Sequence, residues 1–397
     1  MNELIVRIAA RGDGVTSTGK HVPFAVPGDA LLDDGALAYG PYHQEAPCRH
    51  FPECGGCQLQ HADDEAYRGY LRSRVETALA QHDLTTDVRE PHLSAPRSRR
   101  RATLRALKVG KGVALGFNAA KSHRVVDMRE CHILRPELFA LVEPLRELLA
   151  GLLPLKRIGE VQLTLVDQGV DVLFKGVAAD GLQAIEALTS FASANGLARL
   201  TLDQGLGPET TYEPQPATIM LAGKPVAFPP GSFLQATEDG ETVLIGCVSE
   251  AIGEKTQVAD LFSGLGTFAL ATKATYAAEA SRDAAAALKR AAPTMAVEHR
   301  DLYRRPLDTK DLERFDGIIL DPPRAGAAAQ VAQLAGSTVD RIAYVSCNPA
   351  TFARDARTLV DGGFSVTWVQ PVGQFRWSTH VELVACFHPR CQMKIAA

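Results

Sequence analysis

Cys347 stands in Ser346-Cys347-Asn348-Pro349 and has the neighbours best suited to nucleophilic chemistry. The apolar run 342–346 reads as a strand, and Pro349 suits the first turn of a following helix. A thiol at a strand end beside a helix N-terminus lies in a field that favours thiolate. A second chemistry is suggested by Asp260-Leu261-Phe262-Ser263-Gly264-Leu265-Gly266-Thr267-Phe268. Its glycines let a strand turn tightly into a helix and admit a ligand close to the backbone. Alone, this glycine pair is weak evidence, since a plain strand–helix turn explains it equally. Glu279 ends the next strand, where a carboxylate binds ribose hydroxyls in nucleotide-binding sheets. Asp301 follows the third strand, and Asp321-Pro322-Pro323-Arg324 closes the fourth. No P-loop lysine accompanies them, which argues against a nucleoside triphosphate. Glu382, in His380-Val381-Glu382, is in isolation a polar residue on a strand. Beside a thiolate nucleophile it would be a proton acceptor.

Four of the eight cysteines form a group: Cys48, Cys54 and Cys57, with Cys131 much later. Cys247, Cys386 and Cys391 are scattered. No long apolar stretch precedes Arg11, so no signal peptide is expected, and metal binding or catalysis is favoured over disulfides. A four-cysteine site satisfies zinc and an iron–sulfur cluster equally, and spacing does not choose between them.

These residues need elements to position them. A chain of 397 residues exceeds one ordinary core. Its 46% hydrophobic and 22% charged composition is that of a globular protein. Net charge is −4, so the chain as a whole does not resemble a nucleic-acid binder. Arg97, Arg99, Arg100, Arg101, Arg105, Lys108 and Lys111 nonetheless fall in one segment without an acid. That segment is either a solvated strand face or a phosphate-binding footprint. Residues 138–155 are the best membrane candidate, but Glu143, Arg146 and Glu147 make them an amphipathic helix, so no membrane partner is expected.

Residues 1–40 read as short strands with glycine turns, a small β-barrel cut short. Residues 41–232 read as α+β: a cysteine loop, a helix over 65–81, strands over 101–126, and a hairpin turning at Asp167–Gly169. Residues 233–397 alternate strand and helix, with strands at 258–262, 275–278, 296–299, 317–320 and 342–346. That pattern predicts a parallel doubly wound sheet, with a last strand at 380–387 entering antiparallel.

Taken together, Asp321-Pro322-Pro323-Arg324, Ser346-Cys347-Asn348-Pro349, His380-Val381-Glu382 and the four-cysteine set resemble the RNA (uracil-5-)methyltransferase family. The likeness runs from the glycine turns near residue 12 to about residue 387. It implies an α/β fold class, with a Rossmann-like class I methyltransferase domain over 233–397. A central α+β domain over 41–232 would carry a four-cysteine cluster, and 1–40 would be a shortened TRAM-like β-barrel. By the resemblance Cys347 is the nucleophile and Glu382 the general base. Gln235 (in Phe233-Leu234-Gln235), Phe262, Glu279 and Asp321 match contacts to S-adenosylmethionine. Thr267 and Asp301 match further contacts, where asparagine is the usual residue. Cys48, Cys54, Cys57 and Cys131 match the ligands of a [4Fe-4S] cluster. Over 373–377 this chain reads Gly373-Gln374-Phe375-Arg376-Trp377, where the family usually has an aspartate and a proline.

The implied reaction is methylation of carbon 5 of a uridine in RNA, the target base leaving its stack to meet an aromatic such as Phe375 or Trp377. The cluster and TRAM-like region point to 23S rRNA, with tRNA as the alternative. A cytoplasmic monomer is expected. The rival from another class is a non-catalytic metal-dependent RNA-binding module, which would leave Cys347, Glu382 and the crevice acids without a role.

Overall fold

The computed structural model describes residues 2–390, so Cys391 lies outside them. In the C-terminal region the strands Val258–Leu261, Tyr276–Glu279, Ala296–His299, Gly317–Leu320 and Arg341–Ser346 pair in parallel. Val258–Leu261 and Gly317–Leu320 are buried throughout, as helices on both faces of a parallel sheet require. Glu382–Pro389 enters antiparallel beside Arg341–Ser346, as expected. Phe364–Gly373 lies antiparallel beside it in turn.

Counted from Val258–Leu261, the spatial order is third, second, first, fourth, fifth, seventh, sixth. The order reverses between Val258–Leu261 and Gly317–Leu320, and there a crevice opens at the carboxyl ends of the strands. The ten-residue strand Phe364–Gly373 is absent from the sequence reading. A register shift between Val366 and Trp368 breaks its alternation, which hides the period-two signal.

Two short segments from far upstream, Asp87–Val88 and His92–Leu93, pair parallel with Phe364–Gly373. The helix Asp64–Ala80 precedes them. Asp63 caps it by accepting from the Ala66 amide, and two acids occupy its first turn. Its buried face, with Tyr67, Tyr70, Leu71, Val75 and Leu79, shares one core with Phe364, Val369 and Leu383. Residues 64–93, read with the central region, are thus built onto the C-terminal sheet.

The rest of the centre holds a six-stranded sheet, containing the expected hairpin of Ile158–Val166 with Gly169–Lys175, and a separate two-stranded sheet, Thr218–Leu221 with Lys224–Ala227. Arg101–Val109 pairs with Ile158–Val166 on one side and Gly112–Gly116 on the other. The amphipathic helix expected over 138–155 is two helices, Pro136–Ala140 and Val142–Leu152. Pro144 has no N–H for the Ala140 carbonyl, so the helix restarts at that point. Among the described residues no helix is long and apolar enough to cross a membrane.

Residues 3–38 form a five-stranded antiparallel sheet with Glu3–Ile8 at its centre. Its own buried cluster is Ile5, Val22, Ala25 and Leu31. Burying such a side chain yields about 1.5–3 kcal/mol, while ordering each residue's backbone costs about 1–2 kcal/mol. So few anchors do not hold forty residues alone. Ile8 and Val26 accordingly join the large core shared with the C-terminal sheet.

Candidate active site

The crevice is lined from successive strand ends. At the first, Phe262 adopts φ +66, a left-handed conformation costly for a side chain with a Cβ. Gly266 has φ +93, and a Cβ there would meet Leu288 at 2.4 Å, so only glycine fits. Thr267 then opens the short helix Thr267–Ala271. Glu279 ties the second strand end to this turn, accepting from the Gly264 amide at 2.8 Å and the Ser281 amide at 2.6 Å. Asp301 accepts from the Tyr303 amide at 3.0 Å and so caps its own turn. Tyr303 in turn packs its ring 5.6 Å from Phe262.

Asp260 is fully buried, and among the described residues no donor meets hydrogen-bond geometry with its carboxylate. Burial, then Asp321 and Glu279, drive its pKa well above the usual carboxylate range, which the Ala269 amide only partly offsets. Asp321 is pushed up to about 7 by burial and by Glu279. A buried acid amid like charges is held toward its neutral form, and a positively charged group beside it would favour the ionised one. The glycine motif contained Asp260, but its role was legible only once its burial was visible.

Cys347 follows Arg341–Ser346, and the helix Pro349–Asp361 begins two residues on, as the sequence predicts. The expected thiolate is not the resting state. Burial, then Glu382 and Asp321, push the thiol up to about 11, against weaker opposing help from its own backbone and from Arg324. Burial first, and the carboxylates around the sulfur second, set this direction. Glu382 is itself buried and pushed up to about 8, by burial and then Asp321, with a hydrogen bond from Gln374 opposing them. The loop carrying Arg324 is fastened to the same helix. Asn348 Nδ2 and Thr351 Oγ1 donate to the Arg324 carbonyl at 3.1 and 3.2 Å. The Ala327 amide and Tyr344 hydroxyl both donate to buried Asp355, at 2.7 and 2.6 Å.

Gln374 is the residue the sequence reading passed over. It is buried; its Nε2 donates to Gln235 Oε1 at 2.8 Å, and its Oε1 accepts from the Ala236 amide at 3.0 Å. Gln235, in the segment before the helix Glu238–Ile252, is thereby tied to the loop that precedes Glu382. The loop 374–380 is held from three sides. The Tyr67 hydroxyl lies 3.0 Å from the Phe375 carbonyl and 3.1 Å from that of Ser378. Arg376 Nη1 donates to the Ser94 carbonyl at 3.1 Å and Nη2 to Asp64. The amides of Gln58 and Leu59, directly after Cys57, donate to the Trp377 carbonyl at 2.8 and 2.9 Å. Trp377 is consequently buried in the central core and offers no face to an incoming base. Phe375 remains beside the crevice, its ring 5.7 Å from His380 and 5.1 Å from the Arg99 guanidinium.

The basic segment also divides. Arg101, Thr103 and Arg105 alternate outward from buried Ala102, Leu104 and Ala106. Arg105 pairs with Glu160 at 2.8 Å, and the Arg101 guanidinium lies 5.1 Å over the ring of Phe233. Arg100 is not part of that face. It is buried, pairs with Glu241 at 2.8 Å and donates to the Gln235 carbonyl at 3.2 Å, joining the central sheet to the crevice.

Cys48, Cys54, Cys57 and Cys131 line one small pocket with His50, Phe117 and Met128. Burial raises the thiol pKa of Cys48, Cys54 and Cys131, and neighbouring backbone amides oppose it: His50 at Cys48, Gly56 at Cys54, and Ile133 and Leu134 at Cys131. Among the described residues no three His, Cys, Asp or Glu side chains form a group able to hold a metal ion. The four thiols therefore share a pocket without forming a closed ligand set.

Residues 288–388 match the family model described as tRNA (Uracil-5-)-methyltransferase. An uncharacterised RNA methyltransferase of Zymomonas mobilis is 51% identical, the match covering 96% of this chain and 98% of the relative. The 23S rRNA (uracil(1939)-C(5))-methyltransferase RlmD of Pectobacterium carotovorum is 29% identical over 88% of this chain and 82% of its own. The crystal structure of Pyrococcus abyssi tRNA (uracil-54, C5)-methyltransferase, in complex with S-adenosyl-L-homocysteine, superposes with a TM-score of 0.75 at 24% identity. That match covers 98% of this chain and 99% of the other, and it shows a shared class I methyltransferase fold. With half its residues identical to an RNA methyltransferase along nearly its whole length, this chain belongs to the RNA (uracil-5-)methyltransferase family and is an RNA methyltransferase.

Proposed function

We propose that the chain transfers a methyl group from S-adenosylmethionine to carbon 5 of a uridine, with Cys347 as nucleophile and Glu382 as general base. One observation carries this reading: Leu320 pairs with Tyr344 and Ser346 with Leu383, so Asp321, Cys347 and Glu382 stand at neighbouring strand ends, where both carboxylates raise the thiol pKa. Gln235, Phe262, Thr267, Glu279, Asp301 and Asp321 are the proposed contacts to the methyl donor. When bound, that donor would supply an electrophilic methyl group, and its positive charge would offset the negative charge of the crevice acids. Neutralising those acids favours loss of the Cys347 proton.

Carbon 5 of uracil is a poor nucleophile toward a sulfonium. Addition of the Cys347 thiolate to carbon 6 forms an S–C bond and turns the ring into an enolate; its carbon 5 would bond to the methyl group as the bond from methyl to sulfonium sulfur breaks, leaving S-adenosylhomocysteine. Glu382 accepts the carbon 5 proton, the S–C bond breaks, and the 5,6 double bond returns as Cys347 leaves. The test is a pair of variants. Cys347→Ala should neither methylate RNA nor form a covalent complex. Glu382→Gln should accumulate an RNA–protein adduct, stable to denaturing electrophoresis, only when S-adenosylmethionine is present. Turnover by Glu382→Gln at the wild-type rate would sink the assignment of the base.

We further propose 23S rRNA as the substrate, supported by the likeness to the Pectobacterium enzyme. A tRNA substrate is the second reading, favoured by the family model's description. Mapping 5-methyluridine in both RNAs of a deletion strain separates them. The cysteine pocket is proposed to hold a [4Fe-4S] cluster. Neighbouring amides that oppose the effect of burial at three sulfurs suit thiolate ligands, and the metal would supply the convergence of the four side chains.

A further inference from the structure

We propose that Tyr303 is a positioning residue that couples the two sides of the crevice: its ring walls the methyl-donor side with Phe262, and its hydroxyl holds the loop 322–327 against the helix that follows Cys347.

Tyr303 lies on the turn after Ala296–His299, and that turn is fixed on both sides. The Tyr303 amide donates to Asp301 Oδ1 at 3.0 Å. Arg300 donates to the Arg305 and Pro306 carbonyls at 2.6 and 2.8 Å, which closes the far end. The rings of Tyr303 and Phe262 lie 5.6 Å apart at 57° to each other. They rise from the ends of the third and first strands, with Glu279 at the end of the second strand between them. Tyr303 is 45% exposed. A ring left that open beside a strand-end crevice presents a face to a flat ligand.

The hydroxyl points the other way along the crevice. The Gly326 carbonyl can only accept, so the Tyr303 hydroxyl, 3.0 Å away, donates to it. Burial, then Asp355 and Asp301, raises the pKa of that hydroxyl against Arg354, so it remains a donor at neutral pH. Gly326 has φ +80, and a Cβ there would meet Arg354 Nη2 and Asp355 Oδ2 at 2.6 Å, so the loop lies directly on the helix Pro349–Asp361. Asn348, Thr351 and Asp355 of that helix region hold the loop from the nucleophile side, and Tyr303 holds it from the donor side. Arg324, exposed on this loop, is thus carried on a backbone that both sides fix. A ligand packed on the Tyr303 ring removes its freedom to turn, and the hydroxyl then holds the loop more firmly. Such coupling is reciprocal, so an ordered loop also favours the ring position that the ligand needs.

The inference rests on the methyl donor occupying this crevice, so the test begins with S-adenosylhomocysteine alone. By calorimetry, Tyr303→Phe should bind it within about twofold of wild type, and Tyr303→Ala about fivefold or more weaker. The same ligand should slow hydrogen exchange at the Gly326 and Ala327 amides in wild type and not in Tyr303→Phe. Equal protection in both proteins overturns the coupling, and unchanged affinity in Tyr303→Ala overturns the role of the ring. With total RNA from a deletion strain as methyl acceptor, Tyr303→Phe should lower kcat/KM for RNA by about three- to tenfold, the worth of one hydrogen bond. The KM for the donor should not move. A wild-type kcat/KM in this variant overturns the positioning role. Wild-type protein that fails to bind S-adenosylhomocysteine would instead overturn the reading of the crevice as a donor site.

Discussion

The acid crevice and the cysteine pocket both gather side chains from distant parts of the chain, but different forces hold them. In the crevice, each group sits at the end of a strand or on a loop bonded at several points. Hydrogen-bonded ladders fix the strand ends, and the sheet's core bears the cost of crowding Asp260, Asp321 and Glu382 together. The pocket's thiols ride on loops, with neighbouring amides opposing the effect of burial at three of the sulfurs. A sheet edge can be strained before its ligand arrives, while a loop-borne ligand set closes on what it binds. The two regions touch at Trp377, whose carbonyl takes both amides that follow Cys57.

The largest effect that sharpens this contrast is Glu382→Gln. Losing a general base costs about 10² to 10⁴ in rate. Stability should move the other way. A carboxyl whose folded pKa is raised binds more protons folded than unfolded. Stability therefore falls as pH rises from the unfolded value near 4.5 toward about 8. Glu382→Gln should thus unfold later than wild type at pH 9, by on the order of 2–4 kcal/mol, and match it near pH 4. Denaturant melts at the two pH values check this, and a variant less stable at pH 9 would deny that the crevice is strained.

Next comes Arg100→Ala, which leaves Glu241 buried without its partner. Such breaks cost about 3–5 kcal/mol. Because Arg100 also donates to the Gln235 carbonyl, the variant should weaken binding of the methyl donor, measurable by calorimetry. Unchanged stability would show that the centre and the crevice are not joined through this pair.

The pocket should respond differently. Protein purified without oxygen should be brown, with about four irons per chain, and Cys54→Ala should bleach it. Since Gln58 and Leu59 grip the loop 374–380, the bleached protein should also exchange the amides of that loop faster. Zinc in place of iron would sink the cluster and keep a metal site.

The smallest effect tests the basic face. Arg101→Gln and Lys111→Gln should each lower the salt slope of RNA binding by somewhat less than one unit. An unchanged slope would return these residues to a solvated surface.

The α/β alternation, the crevice at the strand ends and the place of Cys347 were legible because they depend on local patterns, whereas Glu382 was singled out only by the family resemblance. Buried apolar runs make strands, glycines make turns, and polar residues just after a run fall on the sheet's carboxyl edge wherever the sheet is placed. The strand Phe364–Gly373 was lost to a bulge, and Gln374 to its lack of a local signal: one glutamine among many. Arg100 could not be told from Arg99 and Arg101 by spacing, because only its partner Glu241, 141 residues away, shows that it is buried. The same holds for Trp377, which looked available for stacking until the loop after Cys57 covered it. Local sequence decides which element a residue occupies, since backbone sterics and hydrophobic period act over a few residues. Whether its side chain meets solvent, a partner charge or an orphaned acid is decided by elements far away in the chain, and tertiary packing alone brings those together.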